Sequence, residues 1–207
     1  MPVRVLVFVL AATLLVGGCG SGKSGTPSVG TQTTNSSAQP PQRTTSAASA
    51  LQAEANAAAT GDIPDNQVFI GFRDRAAAYS MKYPEGWVQG GSGALVTFRD
   101  KNNLVRVLVS TGATPTSARV RADLRHLAAA HVQSGPQRLT ISGAPAFRAV
   151  YTTQSSPNAV TGKRVTLLVD RYYLSHAGKE AIVDLGTPVG VDNVDAYRLM
   201  IESFRWR

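Results

Sequence analysis

The chain holds a single cysteine, Cys19, in 207 residues. That excludes an internal disulfide and the paired-cysteine metal and redox motifs. Histidine is nearly as scarce, with only His126, His131 and His176. No H-E-x-x-H, C-x-x-C or G-x-S-x-G pattern occurs, so the recognisable zinc, dithiol and serine-hydrolase chemistries lack their residues. Acidic residues are few, 13 against 21 Lys plus Arg, which leaves a net charge of +8. No apolar run reaches the roughly 20 residues that span a bilayer as a helix. The apolar run at residues 5–16 is interrupted only by Thr13.

That short run fits a different purpose. A secretory signal needs a positive start, about 7–15 apolar residues and small residues at the cut. Arg4, residues 5–16 and Gly17-Gly18 meet those needs in order. Cys19 follows at once, and a thiolate is the best nucleophile the chain has for taking up a lipid group. Val16-Gly17-Gly18-Cys19 resembles the bacterial lipobox, an aliphatic residue and two small residues before a cysteine. The resemblance implies a diacylglyceryl thioether on Cys19, cleavage after Gly18, and a lipid-anchored protein on the extracytoplasmic face of the cell membrane. The other reading, an exported chain with one chance thiol, leaves that thiol as a liability.

Residues Gly17 to Ser24 also spell the phosphate-loop pattern G-x-x-x-x-G-K-[ST]. Phosphate binding there needs a helix directly after the Lys-Ser pair, so that its amides meet the phosphates. Gly25-Thr26-Pro27-Ser28-Val29-Gly30 follows instead and cannot continue a helix. The nucleotide reading is set aside.

The expected organisation is a signal peptide at residues 1–18, a tether at 19–62 and one domain at 63–207. The tether is rich in Ser, Thr, Gly, Gln and Pro and then in Ala, too poor in large apolar residues to offset ordering entropy. As a flexible coil of about forty residues it spans roughly 35 Å. The domain carries 18 basic and 11 acidic residues. A positive domain beside a membrane is drawn to anionic lipid or acidic cell-wall polymer. Export argues against nucleic acid as its partner.

Within the domain, residues 68–72 and 79–83 read as strands, the second stopped by Pro84-Glu85-Gly86-Trp87. Strands are expected at 94–98 and 104–111 around an Asp100-Lys101-Asn102-Asn103 hairpin loop. Thr114-Pro115-Thr116-Ser117 opens a helix. Val120, Leu124, Leu127, Ala128, His131 and Val132 carry its apolar spacing to Gly135-Pro136. On that helix His126 and His131 would point about 140° apart and share no metal.

Strands follow at 138–141 and 146–153, then a long hairpin of 165–175 and 180–185 around Ala177-Gly178. A two-residue turn there sets His176 against Lys179 and Arg171 against Asp184, a favourable charge pair. A one-residue slip would instead bring Asp170 to Asp184 as a cation site, in the weaker register. A last helix is expected from Val191 to Ser203, with Asp192 as its cap. The fold class is α+β, an antiparallel β-sheet of about six to seven strands flanked by helices.

Three motifs carry a family resemblance. Tyr79-x-x-x-Tyr83-Pro84-Glu85-Gly86-Trp87, then Phe98-x-Asp100, then Ser203-Phe204-Arg205-Trp206 resemble the PsbP-like superfamily. That family takes in the photosystem oxygen-evolving subunit, a nuclear-transport cofactor and many bacterial lipoproteins. The resemblance spans about residues 70–207. It implies an α-β-α sandwich and non-enzymatic work: binding, docking or assisting the assembly of membrane complexes. It transfers no metal, cofactor or partner residue, and Pro84, Gly86 and Trp87 only as turn and core positions.

The function expected is a non-catalytic, lipid-anchored accessory or binding protein, held to the membrane through Cys19. A membrane protein, anionic lipid or cell-wall polymer would be its partner. Two alternatives stand beside it, a carrier of a hydrophobic or lipid-like ligand and a lipid-anchored hydrolase with a carboxylate site. Oligomeric state is left open.

Overall fold

The computed structural model describes residues 60–158 and 160–207, all within the compact unit Arg43–Arg207. Cys19 and the segments expected to be a signal peptide (1–18) and nearly all of the tether (19–62) lie outside the described residues.

Among the described residues, ten strands and two helices follow in the order β1 (Phe69–Asp74), β2 (Tyr79–Pro84), β3 (Val88–Ser92), β4 (Leu95–Asp100), β5 (Asn103–Thr111), α1 (Ser117–Arg125), β6 (His131–Ile141), β7 (Ala144–Gln154), β8 (Thr166–His176), β9 (Lys179–Pro188), α2 (Val194–Glu202) and β10 (Arg205–Trp206). Seven strands form one antiparallel sheet in the order β3-β4-β5-β9-β8-β7-β6. A separate three-stranded sheet runs β1-β2-β10. The expected α+β class and strand number hold for the large sheet. The small sheet is an addition, because β10 has two residues and gives no periodic signal.

Strand alternation divides the large sheet into two faces. Val96, Phe98, Val105, Val107, Val183, Leu185 and Tyr172 point to one side. They pack there with Tyr79 and Met81 of the small sheet and with Tyr197, Met200, Ile201 and Phe204 of the α2 region. The other face carries Phe147, Ala149 and Tyr173, covered by Val120 and Leu124 of α1. Trp87 is buried in the main core, and Gly86 takes φ +88° in the turn before it, as expected of Pro84-Glu85-Gly86-Trp87.

Two turns are legible from residue type alone. Ala177-Gly178 connects β8 to β9 with both residues at positive φ, the twist that suits a two-residue hairpin. It fixes His176 opposite Lys179 and Arg171 opposite Asp184. Asp100 faces Asn103 across the β4–β5 turn.

The first helix is shorter than its spacing implies. It ends at Arg125, with His126 as C-cap, and Ala129 turns left-handed at φ +53°. His131 and Val132 belong to β6, paired with Thr152 and Tyr151. Gly135 and Pro136 do not stop a helix. They lie in a register shift between Ser134 and Gln137, where a residue without an N–H costs no ladder bond. His126 and His131 therefore do not share a helix, and the helical separation of about 140° does not apply to them. At α2 the N-cap is Asn193, while Asp192 Oδ1 accepts from the Val194 N–H at 3.3 Å.

β3 was hidden by its own composition, since Gly90 and Gly91 interrupt any strand pattern. Gly91 sits at φ +77°, and a Cβ there would lie 2.3 Å from the Leu95 carbonyl oxygen. Only glycine allows β4 to approach that closely.

Candidate functional site

The site grows from one face of the large sheet. On β5 the valines at 105, 107 and 109 turn into the main core, which sends Leu104, Arg106 and Leu108 to the opposite face. On β9 and β8 the same alternation brings Glu180 and Asp184, then Arg171 and Tyr173, to that face. α1 covers the part over β7, β8 and β9. Over β3 to β5 the face is bare, with Val88 at 72 %, Leu95 at 46 % and Leu108 at 40 % exposure.

Register lines up Arg106, Asp184 and Arg171 across three adjacent strands. Asp184 is buried and accepts four hydrogen bonds. Arg171 donates from Nε at 2.7 Å and Nη2 at 3.1 Å, and Arg106 from Nε at 2.9 Å and Nη2 at 2.5 Å. Arg171 also donates from Nη1 to Asp123 Oδ2 on α1 at 2.8 Å, and the Tyr173 hydroxyl donates to the same oxygen at 2.5 Å. Its guanidinium lies 5.6 Å from the centre of the Tyr151 ring. Burial works against the Arg171 charge, but the bonds to Asp184 and that anion's field outweigh it and hold the side chain protonated. Burial and then the charge of Asp184 push the Tyr151 hydroxyl up to about 12, so it stays neutral at physiological pH.

The same spacing docks the helix. Arg119 and Asp123 stand four apart on α1, so both face the sheet. Arg119 reaches buried Glu180 at 2.5 Å. Burial raises the Glu180 pKa, with Arg119 opposing. Thr116 Oγ1 caps the helix by accepting from the Arg119 N–H at 3.2 Å.

Beside this row lies a groove of about 600 Å³. Leu104, Tyr151, Leu167 and Val169 supply apolar lining from the strands, and Leu127 and Ala130 from the segment after α1. Ser155, Ser156 and Asn158 of the β7–β8 loop form one edge. Asn158 Oδ1 accepts from the Val160 and Thr161 N–H groups, and Arg164 donates to the Ser155 carbonyl, which shapes that loop. Arg99, Lys101 and Arg106 line the groove from the β4–β5 side. No carboxylate belongs to its lining. Arg106 is the cation that links groove and buried row, with its side chain 40 % exposed.

Several residues singled out by sequence are placed apart from this groove. Asp170 does not meet Asp184. It pairs in register with Leu185, points to the opposite face, and forms an ion pair with Arg148 at 2.5 Å. The one-residue slip that a shared cation would need is overturned by the Arg171–Asp184 register. His126 caps α1, His131 opens β6, and His176 stands at a hairpin end with its ring 6.4 Å from that of Trp206. Among the described residues no group of three or more His, Cys, Asp and Glu side chains could hold a metal. Arg99, Lys101 and Arg106 were not foreseen as a set. An arginine in the middle of an apolar strand was the one available signal, and it does not reveal which strands flank it.

The architecture is that of a PsbP-like α+β domain. No family model matches the chain, and no curated protein matches it in sequence. Among solved structures it is similar to cyanobacterial PsbP (CyanoP) from Synechocystis sp. PCC 6803, with a TM-score of 0.50 at 16% identity. That match covers 71% of this chain and 98% of CyanoP. It is also similar to a Bacteroides thetaiotaomicron protein, at TM-score 0.44 and 15% identity over 66% of this chain and 48% of that one. The Ran-binding protein Mog1p of Saccharomyces cerevisiae gives TM-score 0.44 and 9% identity over 68% of this chain and 96% of Mog1p. At such identities the CyanoP match establishes the fold alone.

Proposed function

We propose that the chain is a lipid-anchored, extracytoplasmic accessory module without catalysis of its own. In this reading it holds an acidic, partly apolar segment of another envelope protein in the groove beside Arg99, Lys101 and Arg106. The observation that carries the reading is the composition of that groove: three cations and no carboxylate beside an apolar lining. Exposed cations at an open groove attract acidic groups even where a carboxylate of the chain is also in reach, as Asp184 is of Arg106 and Asp100 of Lys101, and leucine, valine and tyrosine surfaces favour apolar side chains over a bare polyanion. Val16-Gly17-Gly18-Cys19 supports the anchor, and two or three acyl chains suffice for stable membrane retention.

A carboxylate hydrolase gains nothing from the geometry. Asp123 and Asp184 both bind the same guanidinium, and neither lines the groove. A lipid carrier would need an enclosed apolar space, whereas this groove is open and edged by hydroxyls and amides.

The test is photo-crosslinking in cells from a reactive residue placed at Asn102 of the full chain. A discrete protein adduct should form, and Arg99→Gln with Lys101→Gln should remove most of it. An adduct unchanged by those substitutions, or one with lipid or wall polymer only, would contradict the groove as a protein-binding site.

A further inference from the structure

The small sheet has two unlike faces. Phe72, Tyr79 and Met81 point into the main core, so the alternate residues point outward. Register places Arg73 opposite Ser80, and Ser80 opposite Arg205, across β1, β2 and β10. Lys82 follows on β2 opposite Gly71, where a Cβ would meet nothing within 4 Å. Arg207 is brought alongside by its N–H, which donates to the Ala78 carbonyl at 2.8 Å, and by its Nε, which donates to Ser80 Oγ at 3.0 Å. The outer face thus presents Arg73, Lys82, Arg205 and Arg207 around a serine, lining a shallow concavity of about 470 Å³ without an acidic side chain. The ion pairs among the described residues involve none of these four.

We infer that this face docks the domain on an anionic lipid bilayer. Strands about 4.8 Å apart spread the cations over roughly 10 Å, an array suited to several headgroups at once. The four cations are exposed and no buried donor is aimed into the concavity, so the face is not built to enclose one small anion. Lys and Arg stems lie along a surface while their charged ends reach outward, which suits contact with a headgroup layer. The inference rests on the membrane-anchored reading for its source of lipid: about forty residues between Cys19 and the domain, as a flexible coil, would span roughly 35 Å on average. Docked this way, the domain would hold a fixed orientation instead of swinging freely on its tether.

The experiment measures partition of residues 43–207, the unit that holds the whole core described above, onto vesicles. One set contains phosphatidylglycerol mixed into phosphatidylcholine, the other phosphatidylcholine alone. A near-surface Lys or Arg is worth about fivefold in partition, so Arg73→Gln with Lys82→Gln should weaken binding to anionic vesicles about 25-fold. Binding should fall with added salt and be absent on phosphatidylcholine. Arg121→Gln with Arg125→Gln removes the same charge from exposed positions on α1 and should change binding little. An unchanged melting temperature in both variants shows that neither has lost its fold.

Equal losses in the two variants would mean net charge alone drives binding and would overturn the inference. So would a wild type that ignores anionic vesicles. So would binding of inorganic phosphate or soluble polyphosphate, sensitive to Arg73 and Lys82, without vesicle binding. Because this fragment carries no lipid, failure here leaves the anchor at Cys19 to its own test.

Discussion

Replacing Asp184 by Asn should cost far more stability than removing Arg106, the exposed end of its cationic row. Asp184 and Arg171 have side chains 2% and 5% exposed. In Asp184→Asn an amide N–H₂ meets two guanidinium groups, and Arg171 is left charged inside the domain. Removing one partner of a buried ion pair costs about 3–5 kcal/mol. Arg171 keeps Asp123 at 2.8 Å, and that carboxylate is 39% exposed, so the lower end applies. A loss of about 3 kcal/mol in a domain of this size lowers the melting temperature by about 10 °C.

Arg106→Gln removes the half-exposed cation of the same row and should cost less than about 1 kcal/mol. The double variant Arg171→Met, Asp184→Leu replaces the buried pair with apolar volume and should recover most of the loss. Urea denaturation followed by circular dichroism, on residues 43–207, reads all three. If Asp184→Asn stayed within about 1 kcal/mol of wild type, or Arg106→Gln cost as much, the claim of a desolvated pair would be wrong.

Three further outcomes follow from local geometry. Gly91→Ala should destabilise by about 2 kcal/mol or more, since it adds a Cβ 2.3 Å from the Leu95 oxygen at a left-handed φ; thermal melting checks it. Asn193 joins three segments: its Oδ1 accepts from the Ile63 N–H at 2.8 Å, and the two hydrogens of its Nδ2 are shared among Gly61 O, Asn103 Oδ1 and Thr187 Oγ1 at 3.1, 3.1 and 2.8 Å. Asn193→Ala should cost about 1–3 kcal/mol by leaving buried groups unpaired, and hydrogen exchange should quicken at Ile63.

Asp74 accepts from Ala77 N at 2.8 Å and Gly93 N at 2.5 Å. Chiefly the Ala77 N–H holds its carboxyl below the ordinary aspartate value, against the effect of burial, with Gly93 and Ala76 assisting. A depressed folded pKa stabilises at pH above the unfolded value and is lost as pH falls through the folded value. The gap between wild type and Asp74→Asn should therefore be full at neutral pH and shrink in acid; urea melts at both ends of that range check it.

Local chemistry made much of this fold legible. Period-two alternation marked β2, apolar runs marked β5 and β8, and Ala177-Gly178 set the register that put Arg171 on Asp184. What stayed hidden depends on residues distant in sequence. Leu127, Ala128, His131 and Val132 mimic helix spacing, because Leu127 packs against two core clusters after the helix has ended. β3 carries two glycines, and β10 is too short for any period. The groove needs β5 beside β9, and the β7–β8 loop near the β4–β5 turn. Neither neighbour relation is written in a local pattern. Arg106 therefore read as one more arginine in a basic chain, and the outer row of Arg73, Lys82 and Arg205 depended on a strand not recognised.

The proposed membrane anchor depends on Cys19. Intact mass and membrane fractionation of the full chain beside Cys19→Ala, both expressed in a bacterium, measure it. A lipid-anchored chain should begin at residue 19, carry an acyl mass increment and stay with the membrane, and the Cys19→Ala chain should lack the increment and its retention. A wild type without lipid, recovered in the soluble fraction, would contradict the anchored module and leave only a basic α+β domain.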